Sequence, residues 1–125
     1  MAYQEKLSGL TYEAGEDLSA DQFTFMAYNG SGQVVKQTTA GGSCVGVLRT
    51  IASVAGRAVT VDGMDGTVVK IVAGATVAIN VKVQSDTAGR AILAASGDHV
   101  QGLTLEAGVV GQIISVLLQS EHILA

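Results

Sequence analysis

The residues that could act as nucleophiles lie together in one glycine-rich segment, where Ser43 and Cys44 follow Gly41 and Gly42. A nucleophile elbow needs a glycine two residues on either side of its serine, and Val45 occupies the second of these positions. Cys44 is the only cysteine, so the chain cannot form an internal disulfide or a cysteine-based zinc site. It would act as a thiolate only beside a base that lowers its pKa. The segment is better explained as a turn that enters a strand, with Cys44 as a small buried hydrophobic residue.

Histidines and paired acids also give no convincing site. His99 and His122 are the only histidines and lie far apart in the sequence. Asp98 precedes His99, but adjacent side chains of a strand point to opposite faces. Asp62 and Asp65 could face a cation, yet a calcium loop needs several more oxygen ligands, and two successive turns explain the pair. We therefore predict that the protein is not an enzyme and uses no metal or cofactor.

Charge and phosphate motifs argue against nucleic acid as a partner. The segment 30–35 (GSGQVV) has valine where a dinucleotide fingerprint needs its third glycine, and no P-loop motif occurs. The net charge is −4, and up to Asp21 there are five acids and one base. Nucleic-acid binding generally needs a basic patch, which this sequence lacks. No apolar run approaches the roughly 18 residues of a membrane span, so we also predict no membrane partner.

Alternating apolar residues predict short strands along most of the chain. The clearest example is the segment 77–83, in which Val77, Ile79, Val81 and Val83 alternate with other side chains. Similar runs are separated by glycine turns, and there is no proline. Many short strands joined by such turns are typical of a closed barrel or of two packed sheets. We predict an all-β fold, a compact β-barrel or β-sandwich of about eight short strands with an N-terminal extended arm.

The N-terminal segment differs from the rest in composition. It carries most of the acidic excess, and all five aromatic residues lie within the first 28 positions. We divide the chain into an acidic arm (1–20), a β-domain (21–118) and a C-terminal tail (119–125). Because interfaces favour aromatic anchors, we predict that Tyr3, Leu7, Leu10 and Tyr12 bind a partner. The alternative is that the segment forms an edge strand or a cap on its own domain.

An internal echo indicates two related β-units. The residues 32–35 (GQVV) lead to 45–48 (VGVL) much as 89–92 (GRAI) lead to 100–103 (VQGL). Two packed copies of one unit would give this pattern. Any two glycine-bounded hairpins could also give it.

Three segments of the β-domain carry a resemblance to a known family: 71–77 (IVAGATV), 81–90 (VKVQSDTAGR) and 94–108 (AASGDHVQGLTLEAG). They are followed by an apolar strand at 112–118 (QIISVLL). Together, from about Asp21 to Leu118, the sequence resembles the decoration (cement) proteins that coat the capsids of tailed phages.

The resemblance implies a structural protein that binds the outer surface of a phage head at junctions of major capsid protein subunits and stabilises the shell. It further implies a homo-trimer located on the virion. Because the N-terminus has no basic start followed by an apolar run, we expect the protein to be made in the host cytoplasm. The alternative from another class is a receptor- or glycan-binding β module of a phage fibre or tail. The N-terminal aromatic residues, Tyr28 among them, would then be its stacking groups.

Overall fold

The computed structural model describes residues 9–50, 54–63 and 66–125, and all regular structure within these ranges is β. The predicted all-β class is confirmed, with more strands than the eight expected. The described residues form ten strands: β1 (Gly9–Glu13), β2 (Phe25–Tyr28), β3 (Val34–Lys36), β4 (Gly46–Leu48), β5 (Ala58–Asp62), β6 (Val68–Val72), β7 (Lys82–Ser85), β8 (Ala91–Leu93), β9 (His99–Thr104) and β10 (Ile113–Ile123).

The strands form two five-stranded antiparallel sheets with the same topology. The first sheet has the order β1-β5-β4-β2-β3 and the second has the order β6-β10-β9-β7-β8. Raising each strand number of the first sheet by five gives the second sheet. The chain is therefore two consecutive copies of one supersecondary unit.

Each sheet curls until its two edges meet. In the first sheet a parallel bridge joins Ala14, just after β1, to Val34 of β3. In the second sheet the equivalent bridge joins Ala73 to Ala91. Gly15 N donates to Val34 O at 2.8 Å, and Gly74 N donates to Ala91 O at 2.8 Å. Each unit is thus a small, largely closed barrel, which reduces the unpaired edge that an open sheet would expose.

Equivalent side chains fill the two barrels. Burying aliphatic side chains away from water is the main favourable term in folding such a unit. The first barrel encloses Ala14, Leu18, Met26, Val34, Leu48, Val59 and Val61. The second encloses Ile71, Ala73, Val77, Val83, Ala91, Ile114 and Val116, with Ile71 at the position of Tyr12, while buried Thr104 takes the place of Leu48.

Turns and close contacts repeat as well. Asn29 Oδ1 accepts hydrogen bonds from the backbone N–H groups of Ser31 and Gln33. In the same way, Asp86 Oδ1 accepts from Ala88 and Arg90. An Asx side chain therefore fixes the β2–β3 turn and the β7–β8 turn in one geometry.

The duplication confirms the internal echo, with one correction in its second half. Gly46 and Gly102 are the true equivalents, because a Cβ on Gly46 would lie 2.4 Å from Asp62 O and one on Gly102 would lie 2.6 Å from Leu117 O. Only glycine permits this close approach of a neighbouring strand. The echo between segments 45–48 and 100–103 instead matches Gly46 with Gln101, which is one residue too early.

The two barrels pack head to tail rather than symmetrically. Phe25 and Val47, on the outside of the first barrel, belong to the buried cluster of the second. Backbone hydrogen bonds cross this interface from Val72 N to Phe23 O at 2.9 Å and from Phe25 N to Gly89 O at 2.7 Å. One continuous body results, with the first barrel covering one surface of the second.

Residues 9–13 form the edge strand β1, which pairs with β5. This part of the N-terminal segment is therefore an edge strand on its own domain, which was the alternative to a partner-binding arm. Leu18, also within the predicted arm, is fully buried in the first barrel. At the other terminus, β10 continues to Ile123 and so includes most of the predicted tail. No helix in the described part of the chain is long and apolar enough to cross a membrane.

Candidate functional site

Two tyrosines, Tyr12 and Tyr28, lie at one end of the first barrel, and we call them, together with the turn at 29–33, the aromatic surface. Tyr12 is half-buried and packs against the barrel core, on the same face of β1 as its fully buried cross-strand partner Val59. Tyr28 ends β2 and is 54% exposed. An exposed tyrosine is the kind of side chain that protein interfaces favour.

The two tyrosines hold each other in place. Their ring centroids are 5.6 Å apart with an interplanar angle of 68°, an edge-to-face contact. The hydroxyl of Tyr28 donates to that of Tyr12 at 3.0 Å. Beside them, Gln33 Nε2 donates to Glu13 Oε1 at 2.7 Å, which ties the turn to β1. Such a preorganised pair loses little side-chain freedom when it binds.

The second barrel shows what this surface is suited for. Its equivalents of Tyr12 and Tyr28 are Ile71 and Ser85, both with 0% exposure. Ile71 packs inside the core of the second barrel, whereas Ser85 lies against the first barrel, whose Gly41 N donates to Ser85 O at 2.9 Å. The end of this strand is therefore a contact with another β-structure in one copy, and in the other copy it carries the exposed Tyr28.

One of the four predicted partner-binding residues, Tyr12, belongs to the aromatic surface. Leu10 is half-buried and lies on the core-facing side of β1, opposite the buried Val61. Tyr3 and Leu7 lie outside the described residues, and their role stays a prediction. Sequence analysis did not assign Tyr28 to the partner-binding set. The signal was its position, since it ends an alternating run immediately before the Asn29 turn and is therefore at the rim of the sheet.

A second cluster joins the barrels around Glu121 of β10. Its carboxylate accepts hydrogen bonds from Ser43 Oγ at 2.7 Å, from Cys44 N at 3.0 Å and from Gln101 Nε2, and His99 Nδ1 is 3.4 Å away. Burial raises the pKa of Glu121, but the hydrogen bonds and the nearby imidazole outweigh it and lower the pKa. A carboxylate held in this way is a weak base and serves as an inter-barrel anchor.

The cluster does not have the geometry of a nucleophilic site. A catalytic serine needs a histidine between it and the acid, whereas Ser43 donates directly to Glu121. Burial raises the pKa of the Cys44 thiol to about 12, so the thiolate is strongly disfavoured. Among the described residues, no group of three or more histidine, cysteine or acidic side chains is placed to hold a metal ion.

Comparisons with known proteins show a shared fold. No protein-family model matches the chain, and no curated protein matches it. Among solved structures, the chain is similar to the N base of head fiber gp8.5 in bacteriophage phi29, with a TM-score of 0.58 and 16% sequence identity. The match covers 91% of this chain and 98% of that one. The likeness therefore extends over both barrels.

Proposed function

We propose that this protein is a structural component of a phage head, a decoration protein that binds the outer surface of the capsid and stabilises it. The observation that carries the proposal is the fold match, over both barrels, to a protein whose name places it at the base of a phage head fiber. The resemblance of residues 21–118 to capsid decoration proteins supports the same conclusion from the sequence.

The aromatic surface is the contact we assign to the capsid. The second copy already contacts another β-structure at Ser85, the equivalent of Tyr28, so the backbone at this end of the unit suits such a contact. Tyr28, held by Tyr12, presents an exposed amphipathic ring, and aromatic residues at the centre of an interface typically carry much of its binding energy. We propose that three copies assemble where major capsid protein subunits meet.

Binding to undecorated, expanded capsids of the source phage tests the proposal. We expect saturable, stoichiometric binding and a higher melting temperature of the shell. Tyr28→Ala should weaken binding about 30-fold, since hot-spot aromatic residues contribute 2 kcal/mol or more. Leu93→Ala is the matched control, because Leu93 is also a large exposed hydrophobic residue, 61% accessible, but lies on the second barrel. Failure to bind over a range of salt concentrations would contradict the proposal.

A second candidate is the base of a fiber that projects from the head, favoured by the name of the structural neighbour. The two candidates differ in copy number and in what they hold. A decoration protein coats the shell at many equivalent sites, whereas a fiber base has a further protein attached to it. A density map of the virion in which this chain is traced distinguishes them.

A further inference from the structure

A cleft of about 320 Å³ lies between the two barrels, away from the aromatic surface. The ends of β4 and β5 form one wall, with Arg49 and Asp62, and β6 forms the other, with Lys70. Phe23 and Gln22 also line the cleft. This volume is in the range of ordinary small-molecule sites, which combine apolar walls with a few polar groups.

The carboxylate of Asp62 is poorly satisfied by the protein. The residue is 9% exposed, and its Oδ1 atom is buried without a hydrogen-bond partner in the described part of the chain. Its Oδ2 atom is 3.7 Å from Arg49 Nε, too far for a good hydrogen bond. A buried carboxylate without its hydrogen bonds is unfavourable, so folding alone does not explain it.

The second barrel provides an internal control for the first. The same backbone hydrogen bonds and close glycine contacts occur in both barrels, and they define which residues are equivalent. By this match, the second barrel has Ile79, Leu105 and Leu117 at the positions of Gln22, Arg49 and Asp62. The same unit therefore folds with three aliphatic residues where the cleft has three polar ones. These polar side chains are a feature of the cleft and not of the fold.

Phe23 strengthens this contrast. Its φ angle is 63°, in the left-handed region that a bulky residue rarely adopts. The equivalent residue Asn80 has the same φ angle, and asparagine tolerates this conformation well. The turn requires the left-handed backbone in both barrels, yet only the barrel with the cleft places a phenyl ring there. Strained residues of this kind are often found where a ligand is held.

We propose that this cleft binds a saccharide ring that carries one phosphate or carboxylate group. A sugar hydroxyl would donate to Oδ2 of Asp62. Gln22, whose Nε2 donates to Arg49 O at 2.9 Å, would accept through its amide oxygen. Arg49 and Lys70 supply charge-assisted donors for the anionic group. Phe23 and Val68 offer an apolar wall for the C–H face of the ring. This inference is independent of capsid binding and goes beyond the proposed function.

Nuclear magnetic resonance titration of the intact protein tests the assignment with four probes: glucose 6-phosphate, glucuronic acid, methyl glucoside and inorganic phosphate. We expect the two anionic sugars to shift the amide signals of the cleft residues saturably, with a Kd of about 1 mM or tighter. The neutral glucoside and phosphate alone should bind at least about tenfold more weakly, a difference of 1.4 kcal/mol. Absence of shifts with all four probes would overturn the proposal. Equal binding of phosphate and glucose 6-phosphate would also overturn it, because only an anion would then be recognised.

Two variants borrow the residues of the second barrel and separate binding from folding. Arg49→Leu and Phe23→Asn should each lower the affinity at least about tenfold while the melting temperature is maintained. Arg57→Leu is the control, since it removes another exposed arginine of the same barrel that does not line the cleft. An equal loss of affinity in the control would show that net charge alone drives binding, against the proposal. Unchanged affinity in both cleft variants would refute it.

Discussion

Phe23 and Asn80 occupy equivalent positions in the two barrels and share a φ angle of 63°. A left-handed backbone of this kind costs a residue with a Cβ roughly 1–2 kcal/mol, and asparagine compensates better than phenylalanine. One turn geometry therefore persists in both copies while the side chain it presents has changed. A feature shared by equivalent positions of both barrels is required by the fold. A side chain that differs between them instead serves the surface of one barrel.

Phe23→Asn should change the free energy of unfolding by less than about 1 kcal/mol, because relief of backbone strain offsets the partial burial that is lost. Phe25→Ala is the contrasting change, since Phe25 is fully buried between the barrels. It should cost about 3–5 kcal/mol, the usual range for a core phenylalanine. Chemical denaturation of both variants gives these values. A large loss in Phe23→Asn would mean that its ring packs as a core residue.

Gly46→Ala and Gly102→Ala should both be strongly destabilising, by about 2 kcal/mol or more, since the new Cβ would meet a backbone carbonyl of the next strand. Gly30→Ala is the matched control, because a Cβ there meets nothing within 4 Å. It should change stability by less than about 0.5 kcal/mol. Thermal melts of the three variants test whether the two barrels share the same close strand approach. A mild effect at only one of Gly46 and Gly102 would contradict their equivalence.

Tyr12 and Tyr28 should be energetically coupled in the free protein. A double-mutant cycle with Tyr12→Leu and Tyr28→Leu should give an interaction energy of about 0.5–1.5 kcal/mol, as for other edge-to-face aromatic pairs. Urea unfolding at neutral pH measures each corner of the cycle. Strictly additive effects would show that the ring contact does not preorganise the aromatic surface.

Acid should weaken the contact between the barrels through Glu121. Its pKa is lowered in the folded protein from the ordinary value of 4.5, so its stabilising effect is present above that pH and is lost as the pH falls through the folded pKa. Glu121→Gln should lower stability at pH 7 by about 0.5–1.5 kcal/mol, since the amide cannot accept all of the hydrogen bonds and the site is partly open to solvent. The variant should also lose less stability than the parent between neutral pH and acid. Denaturation curves at several pH values test this, and parallel pH profiles would contradict it.

The all-β class, the glycine turns and the internal echo could be predicted from the sequence because each depends on local patterns. Alternation over 77–83 and the Asn29 and Asp86 turns are examples, since strand faces and Asx turns are set within a few residues. The exposed surfaces could not be predicted in this way. Tyr28 and Ser85 end equivalent strands, but only docking of the first barrel on the second decides that one is exposed and the other buried.

By itself, the sequence determined that this chain builds small antiparallel units of aliphatic side chains joined by glycine turns, with its aromatic residues near one terminus. Tertiary structure alone decided that each sheet closes on itself through Ala14–Val34 and Ala73–Ala91, and that the barrels pack head to tail. It also brought Asp62 of one barrel opposite Lys70 of the other. The physical reason is that strand periodicity decides which side chains of a strand point to the core. Contacts between distant segments depend instead on how complete units pack together.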